Sequence, residues 1–148
     1  MEKLPGLALA FAGQIASTRV QGALRAHGLK NNQAHVLMLL ADQGATGQQT
    51  LVRTLGVDPS VLVAMLNDLE SAGLAERRRD PADRRRHIVE ISPRGTRLVT
   101  DVYASITSVE ADLFTALDAN EIDVLHDMLI RINATTDGQS CDAADDAL

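Results

Sequence analysis

Residues 50–92 read TLVRTLGVDPSVLVAMLNDLESAGLAERRRDPADRRRHIVEIS, and the fold follows from how this stretch is parsed. Leu51, Leu55, Val57, Leu62, Met65, Leu66 and Leu69 fall mostly three and four residues apart, the spacing of a packed helix pair. Gly56 stands where the first helix stops. Asp58-Pro59 opens the second, with Asp58 as N-cap and Pro59 at the first helical position. The second helix is predicted over residues 59–72, closed by Gly73. Two strand-like runs follow, Leu74–Arg79 and His87–Ile91, the latter rich in β-branched residues. They are joined by Asp80-Pro81-Ala82-Asp83-Arg84-Arg85-Arg86, in which Asp-Pro starts a turn. The order is helix, turn, helix, strand, basic hairpin, strand.

Six arginines lie within the ten residues 77–86. A charged hairpin can be no more than a solvated surface. Like charges at this density repel one another, however, unless a polyanion meets them, and guanidinium groups suit phosphates and a narrow minor groove. The whole chain of 148 residues has a net charge of −6, which argues against a nucleic-acid partner until the charges are mapped. Eight of the 14 Lys and Arg residues fall between 77 and 97; beyond 98 there is one, Arg131, against eleven acidic residues. It is the local field that steers a polyanion.

This stretch resembles the MarR family of winged-helix transcription factors, named for multiple antibiotic resistance regulation. The resemblance lies in Leu55-Gly56 through Leu69-Glu70, in Gly73-Leu74, in the wing signature Asp80-Pro81-Ala82-Asp83-Arg84-Arg85, and in Ile91-Ser92-Pro93-Arg94-Gly95, and extends over roughly residues 4–134. It implies a mainly α fold with a small β-hairpin wing: a winged helix-turn-helix at about 46–92, flanked by dimerisation helices at about 4–27 and 93–134. Residues 1–134 then form a single domain. It also implies a cytoplasmic homodimer that binds double-stranded DNA at a pseudo-palindromic operator, as a repressor released by a small anionic or aromatic effector. Two reading helices would enter successive major grooves about 34–36 Å apart.

The resemblance assigns roles residue by residue. Arg85 falls on the wing-tip arginine that enters the minor groove, and Asp83 on the acid that supports the wing. Arg84 and Arg86 become phosphate contacts, and Arg77 a further contact from the strand. Arg53, on the first helix of the motif, is either a solvated charge or a backbone contact as that helix crosses the phosphates. The second helix departs from the family: where Thr or Ser is common it has Val63, and where a basic residue is common it has Ala64 and Asp68. It contains no Lys or Arg at all. Base reading then rests on Ser60, on Asn67 to adenine, and on apolar contact of Val63 or Ala64 with thymine methyls. Asp68 and Glu70 oppose phosphate wherever they face it. The alternative is therefore a winged-helix dimer that has lost sequence-specific reading and acts through ligand or protein binding.

The flanking helices are read from periodicity. Leu4, Leu7, Phe11, Ile15, Val20 and Leu24 mark a helix over 4–26, and residues 31–43 a second, capped by Asn31 or Asn32 and stopped by Gly44. His35 in that helix is an exposed polar residue or, on the sharper reading, a ligand-pocket donor. Ser92-Pro93 starts a long helix over 93–117, with Leu98, Val102, Ile106 (or Ser105), Val109, Leu113 and Leu117 on one stripe. Asp118 and Glu121 form a capping box for the last helix. Residues 135–148 are small, polar and acidic and read as a flexible tail holding the single cysteine, Cys141. One cysteine builds neither an internal disulfide nor a multi-cysteine zinc site. No run of 18 apolar residues spans a membrane, and no leader is expected ahead of the first helix. No Gly-rich phosphate loop, His-x-x-His pair or Gly-x-Ser-x-Gly elbow is present. The expectation is a non-enzyme without cofactor or metal.

Overall fold

The structure is a computed structural model that describes residues 2–139. Its elements are α1 (Pro5–Ala26), α2 (Asn31–Gln43), β1 (Thr46–Gly47), α3 (Gln48–Leu55), α4 (Pro59–Ser71), β2 (Ala75–Arg79), β3 (His87–Ile91), α5 (Pro93–Leu113) and α6 (Ala119–Gln139). They make a mainly helical fold with one small antiparallel sheet in the order β1-β3-β2. The chain falls into two compact units, one ending at Val109 and the other starting at Glu110.

The first unit is built on the apolar positions that the sequence spacing marks. Leu37, Leu40, Leu51, Leu62, Leu66, Leu69 and Val36 lose almost all contact with solvent, together with Val89 of β3 and Val102 of α5. Each buried leucine of this kind contributes about 2 kcal/mol of transfer free energy. Because Leu62, Met65, Leu66 and Leu69 turn into the core, Ser60, Ala64, Asn67 and Ser71 are left on the opposite side of α4.

The turns are fixed by short-range chemistry. The Asp58 carboxylate accepts the Ser60 N–H at 3.2 Å and caps α4. At the other end Gly73 has φ +71°, a conformation costly for residues with a Cβ; its N–H reaches Glu70 O, while Leu74 N–H reaches Leu69 O at 2.9 Å, closing a Schellman turn. This turn aims the chain straight into β2. The wing strands pair in register Ala75↔Ile91, Arg77↔Val89 and Arg79↔His87. Ser92 then ties the base of the wing to the end of α4: its N–H donates to Leu74 O at 2.9 Å, its hydroxyl to Gly73 O at 2.6 Å, and its Oγ accepts the Gly95 N–H at 3.0 Å.

Several boundaries differ from expectation. Strand β1 has only two residues, too short for an alternating pattern, and becomes a strand because β3 offers it a partner edge (Thr46↔Val89, Gly47↔Ile88). Helix α2 begins from Lys30 rather than Asn31 or Asn32; the Gln33 side chain reaches back to accept the Lys30 N–H at 3.0 Å. Helix α5 ends at Leu113, not 117: beyond it the Leu117 N–H turns to Phe114 O at 3.0 Å in place of a helical i→i−4 bond, and Asp118 caps the next helix. In the second unit the Asp118 N–H donates to Glu121 Oε2 and the Glu121 N–H to Asp118 Oδ1, each at 2.9 Å, the reciprocal capping box. Helix α6 runs to Gln139, so the first five residues of the expected tail, 135–139, are helical. Residues 140–148, with Cys141, lie outside the described residues.

Candidate nucleic-acid interface

Two surfaces meet around the wing. One is the outward side of α4, presenting Ser60, Ala64, Asn67 and Ser71, all exposed; Val63 sits at its edge, half-buried. Ser60 is half engaged, its hydroxyl donating to Asp58 Oδ1 at 3.1 Å. The other is a cleft of about 750 Å³ between the start of α3, the start of α4 and the wing. It gathers Gln48, Gln49, Thr50 and Arg53 from α3 with Arg85, Arg86 and His87 from the wing. Arg53 and, more than thirty residues further on, Arg85 and Arg86 therefore border one concavity, in which Asp80 is the acid on the lining. The first turn of α3, which no side chain caps, opens into the same space.

The tip is held by its acids. Asp83 Oδ1 accepts the Arg85 N–H at 3.1 Å and Arg85 Nε at 3.2 Å, and Asp83 Oδ2 lies 3.6 Å from Arg86 Nε. Asp80 Oδ1 accepts the Ala82 N–H at 2.9 Å, and the Asp80 N–H reaches Arg86 O at 2.9 Å. The bonds from Arg85, with the charge of Arg86, hold the Asp83 carboxyl below its ordinary range. The Arg85 side chain nonetheless stays 90% exposed. Further back, Arg79 Nη1 donates to Arg84 O at 2.9 Å, and Arg78 stands 3.4 Å from Glu90 across the sheet. These bonds hold the loop while leaving guanidinium faces outward.

Arg77 is placed differently from the tip arginines. Its backbone N–H and its Nε each donate to Glu70 Oε1 at 2.8 Å, and its Nη2 donates to Glu70 Oε2 at 3.2 Å and to Asn67 Oδ1. Helix and wing are thereby fastened side chain to side chain. The bond from Arg77 holds the Glu70 carboxyl below its ordinary value despite partial burial. Glu70 is thus neutralised and does not oppose phosphate as a free charge. Asp68 lies on the other flank of α4, beside a separate cleft that also takes in Arg25 and Lys30. The sequence missed this fastening: Glu70 and Arg77 are seven residues apart across a turn, a spacing that belongs to no local motif. It also passed over His87, which the hairpin brings to the basic cleft.

His35 is exposed on α2 and lines a cleft of about 230 Å³ with Ser17, Val20, Met38 and Ile106. It lies away from the wing residues named above. Among the described residues no helix is long and apolar enough to cross a membrane.

The sequence model of the MarR family matches residues 29–87, from just after α1 to the first residue of β3. Over a longer span, CouR from Rhodococcus jostii RHA1, solved bound to p-coumaroyl-CoA, is 30% identical, with a TM-score of 0.72 over 86% of this chain and 90% of that one. The chain belongs to the MarR family. This MarR-family chain is similar as well to the transcriptional regulator HosA of Escherichia coli O111:H-, 28% identical over 63% of this chain and 69% of HosA. The fold is that of a mutant E. coli MarR solved with operator DNA, at TM-score 0.73 and 23% identity over 86% of this chain and 91% of that one. The chain is a transcriptional regulator of the winged-helix type.

Proposed function

We propose that the chain is a homodimeric repressor that binds a pseudo-palindromic operator and is released by a small aromatic or anionic effector. The observation that carries DNA binding is the basic cleft, where Arg53 of α3 and Arg85 and Arg86 of the wing border one groove beside the outward side of α4. A duplex lying there would meet phosphate contacts from α3, Ser60, Ala64, Asn67 and Val63 in the major groove, and Arg85 in the adjoining minor groove, with Arg84 and Arg86 on phosphates and Asp83 supporting the tip. The same fold holds operator DNA in the E. coli MarR mutant. Operator binding would place the protein in the cytoplasm, with the DNA.

Dimerisation is supported by α1 and the residue that precedes it, where Leu4, Leu7, Phe11 and Ile15 recur at helical spacing and are each more than half exposed. The dimerisation helices would be residues 4–27 and 93–134, leaving 46–92 as the winged helix. An effector is supported by CouR, which holds p-coumaroyl-CoA. His35 is the donor we place nearest such a site. The effector must bind the DNA-incompetent conformation more tightly than the competent one, since differential affinity alone shifts the equilibrium.

The test is fluorescence anisotropy with the DNA upstream of the protein's own gene and with a scrambled duplex, at two salt concentrations. Tighter binding to the upstream duplex, falling steeply with salt, is the expected result. Absence of binding to either duplex at low salt would overturn it. A winged-helix dimer acting through ligand or protein partners would then be the better reading, a reading that the lack of any Lys or Arg on α4 favours.

A further inference from the structure

Asn67 is the single amide side chain on α4 and stands on its outward side. A free asparagine reads adenine with both ends of its amide: Nδ2 donates to N7 while Oδ1 accepts from the 6-amino group. In this protein Oδ1 already accepts from Arg77 Nη2, so a base amino group would have to share that oxygen with a guanidinium. The orientation of that amide is decided by chemistry, because a guanidinium carries donors only and can face only the oxygen. Arg77 in turn has little freedom. Three further bonds tie it to Glu70, and its backbone pairs with the fully buried Val89 across the sheet. Fastened this way, Asn67 turns its NH2 group away from Arg77.

We propose that Asn67 reads the operator chiefly as a donor, and that Arg77, which competes for its oxygen, is the positioning residue that makes it so. The inference rests on the DNA-binding reading above and specifies what that reading selects. An amide that offers chiefly its NH2 group is satisfied by guanine through N7 and O6, by adenine through N7 and by thymine through O4. It is opposed by cytosine, whose major-groove edge presents the N4 amino donor. The base under Asn67 is therefore "not cytosine" rather than "adenine". The place of Arg77 in the basic run serves the helix beside it.

The experiment is selection of binding sites from a random duplex pool with the wild-type protein and with Asn67→Ala, followed by base analogues in the selected site. The wild type should deplete cytosine at one position per half-site, and Asn67→Ala should lose that bias alone. With adenine installed there, 7-deazaadenine, which lacks the N7 acceptor, should weaken binding about fivefold, the value of one hydrogen bond. Nebularine, which lacks the 6-amino group, should change it less than twofold. Arg77→Met removes the competing donor from Oδ1, so the nebularine penalty should rise to about fivefold while the salt slope stays as in wild type. The analogue comparison on the wild-type protein stands even if Arg77→Met fails to fold. A nebularine loss equal to the 7-deaza loss in the wild type, or an Asn67→Ala selection identical to wild type, would overturn the proposal and leave DNA binding intact. A wild-type selection that enriches no sequence would overturn the operator-reading function itself.

Discussion

Gly95 lies near the start of α5, against Leu74 just past the end of α4 and Ile91 of β3, and a methyl group there would test the junction directly. A Cβ built on Gly95 falls 2.2 Å from the Leu74 carbonyl oxygen and 2.7 Å from Ile91 Cγ1, where real Cβ atoms essentially never approach under 3.0 Å. The Ile91 side chain can rotate aside, but the Leu74 oxygen is backbone and must retreat by at least 0.8 Å, from 2.2 to 3.0 Å. That oxygen also accepts the Ser92 N–H at 2.9 Å. Overpacking of this kind costs about 1–3 kcal/mol, the lost Ser92 bond about 1, and the better helix propensity of alanine returns about 1, for a net loss of about 2 kcal/mol. In a chain of this size that corresponds to a fall of about 4–8 °C in Tm for Gly95→Ala. Gly22, inside α1, is the internal control: nothing lies within 4 Å of its built Cβ, and Gly22→Ala should stabilise by about 0.5–1 kcal/mol. Thermal and urea unfolding of both variants, followed by circular dichroism, reads the two signs. A Gly95→Ala protein as stable as wild type would refute the close approach and, with it, the description of how the wing is seated on α4.

Three further outcomes follow from the geometry. Arg85→Ala should weaken operator binding and lower the slope of log K against log salt by about 0.9, one phosphate equivalent, in anisotropy titrations; an unchanged slope would remove Arg85 from the DNA contact. Phe11, 61% exposed on α1, should tolerate Phe11→Asp without unfolding the protomer, yet light scattering should report monomers in place of dimers; a full dimer would remove this part of α1 from the interface. Glu70→Gln should cost about 1 kcal/mol at pH 7, a charge-assisted bond discounted for its exposure to solvent. Because Arg77 lowers the folded pKa of Glu70, its contribution is present at neutral pH and is lost as pH falls below 4.5, the ordinary value, and through the folded one. Urea midpoints at pH 7 and at lower pH should therefore converge for wild type and Glu70→Gln in acid. A difference that persists undiminished would refute the pairing.

The helix-turn-helix and the wing were legible in the sequence because their signals are local. Asp58-Pro59 at one end of α4 and Gly73 at the other act within four residues, and leucines at spacing three and four need no knowledge of their partner. The capping box at Asp118 and Glu121 was legible for the same reason. Strand β1 was not, because two residues carry no period and only the edge of β3 defines them. The end of α5 was misplaced since Leu117 continues the apolar stripe after the helix itself has stopped. At the interface, the sequence gathered the arginines by counting but could not sort them. Arg77 and Arg85 are chemically alike in the chain; one is enclosed by Glu70 and Asn67, the other stands open at the tip.

The two kinds of position on α4 have unequal freedom to change over generations. Ala64 and Ser71 are exposed and form no side-chain bond among the described residues, so a new side chain at either can retune target choice in one step. Asn67, Glu70 and Arg77 form a closed set in which each side chain completes another. Altering one leaves an orphaned charge or amide at the seam between helix and wing, so the three should drift together across relatives, while Ala64 and Ser71 diverge one by one as operators diverge.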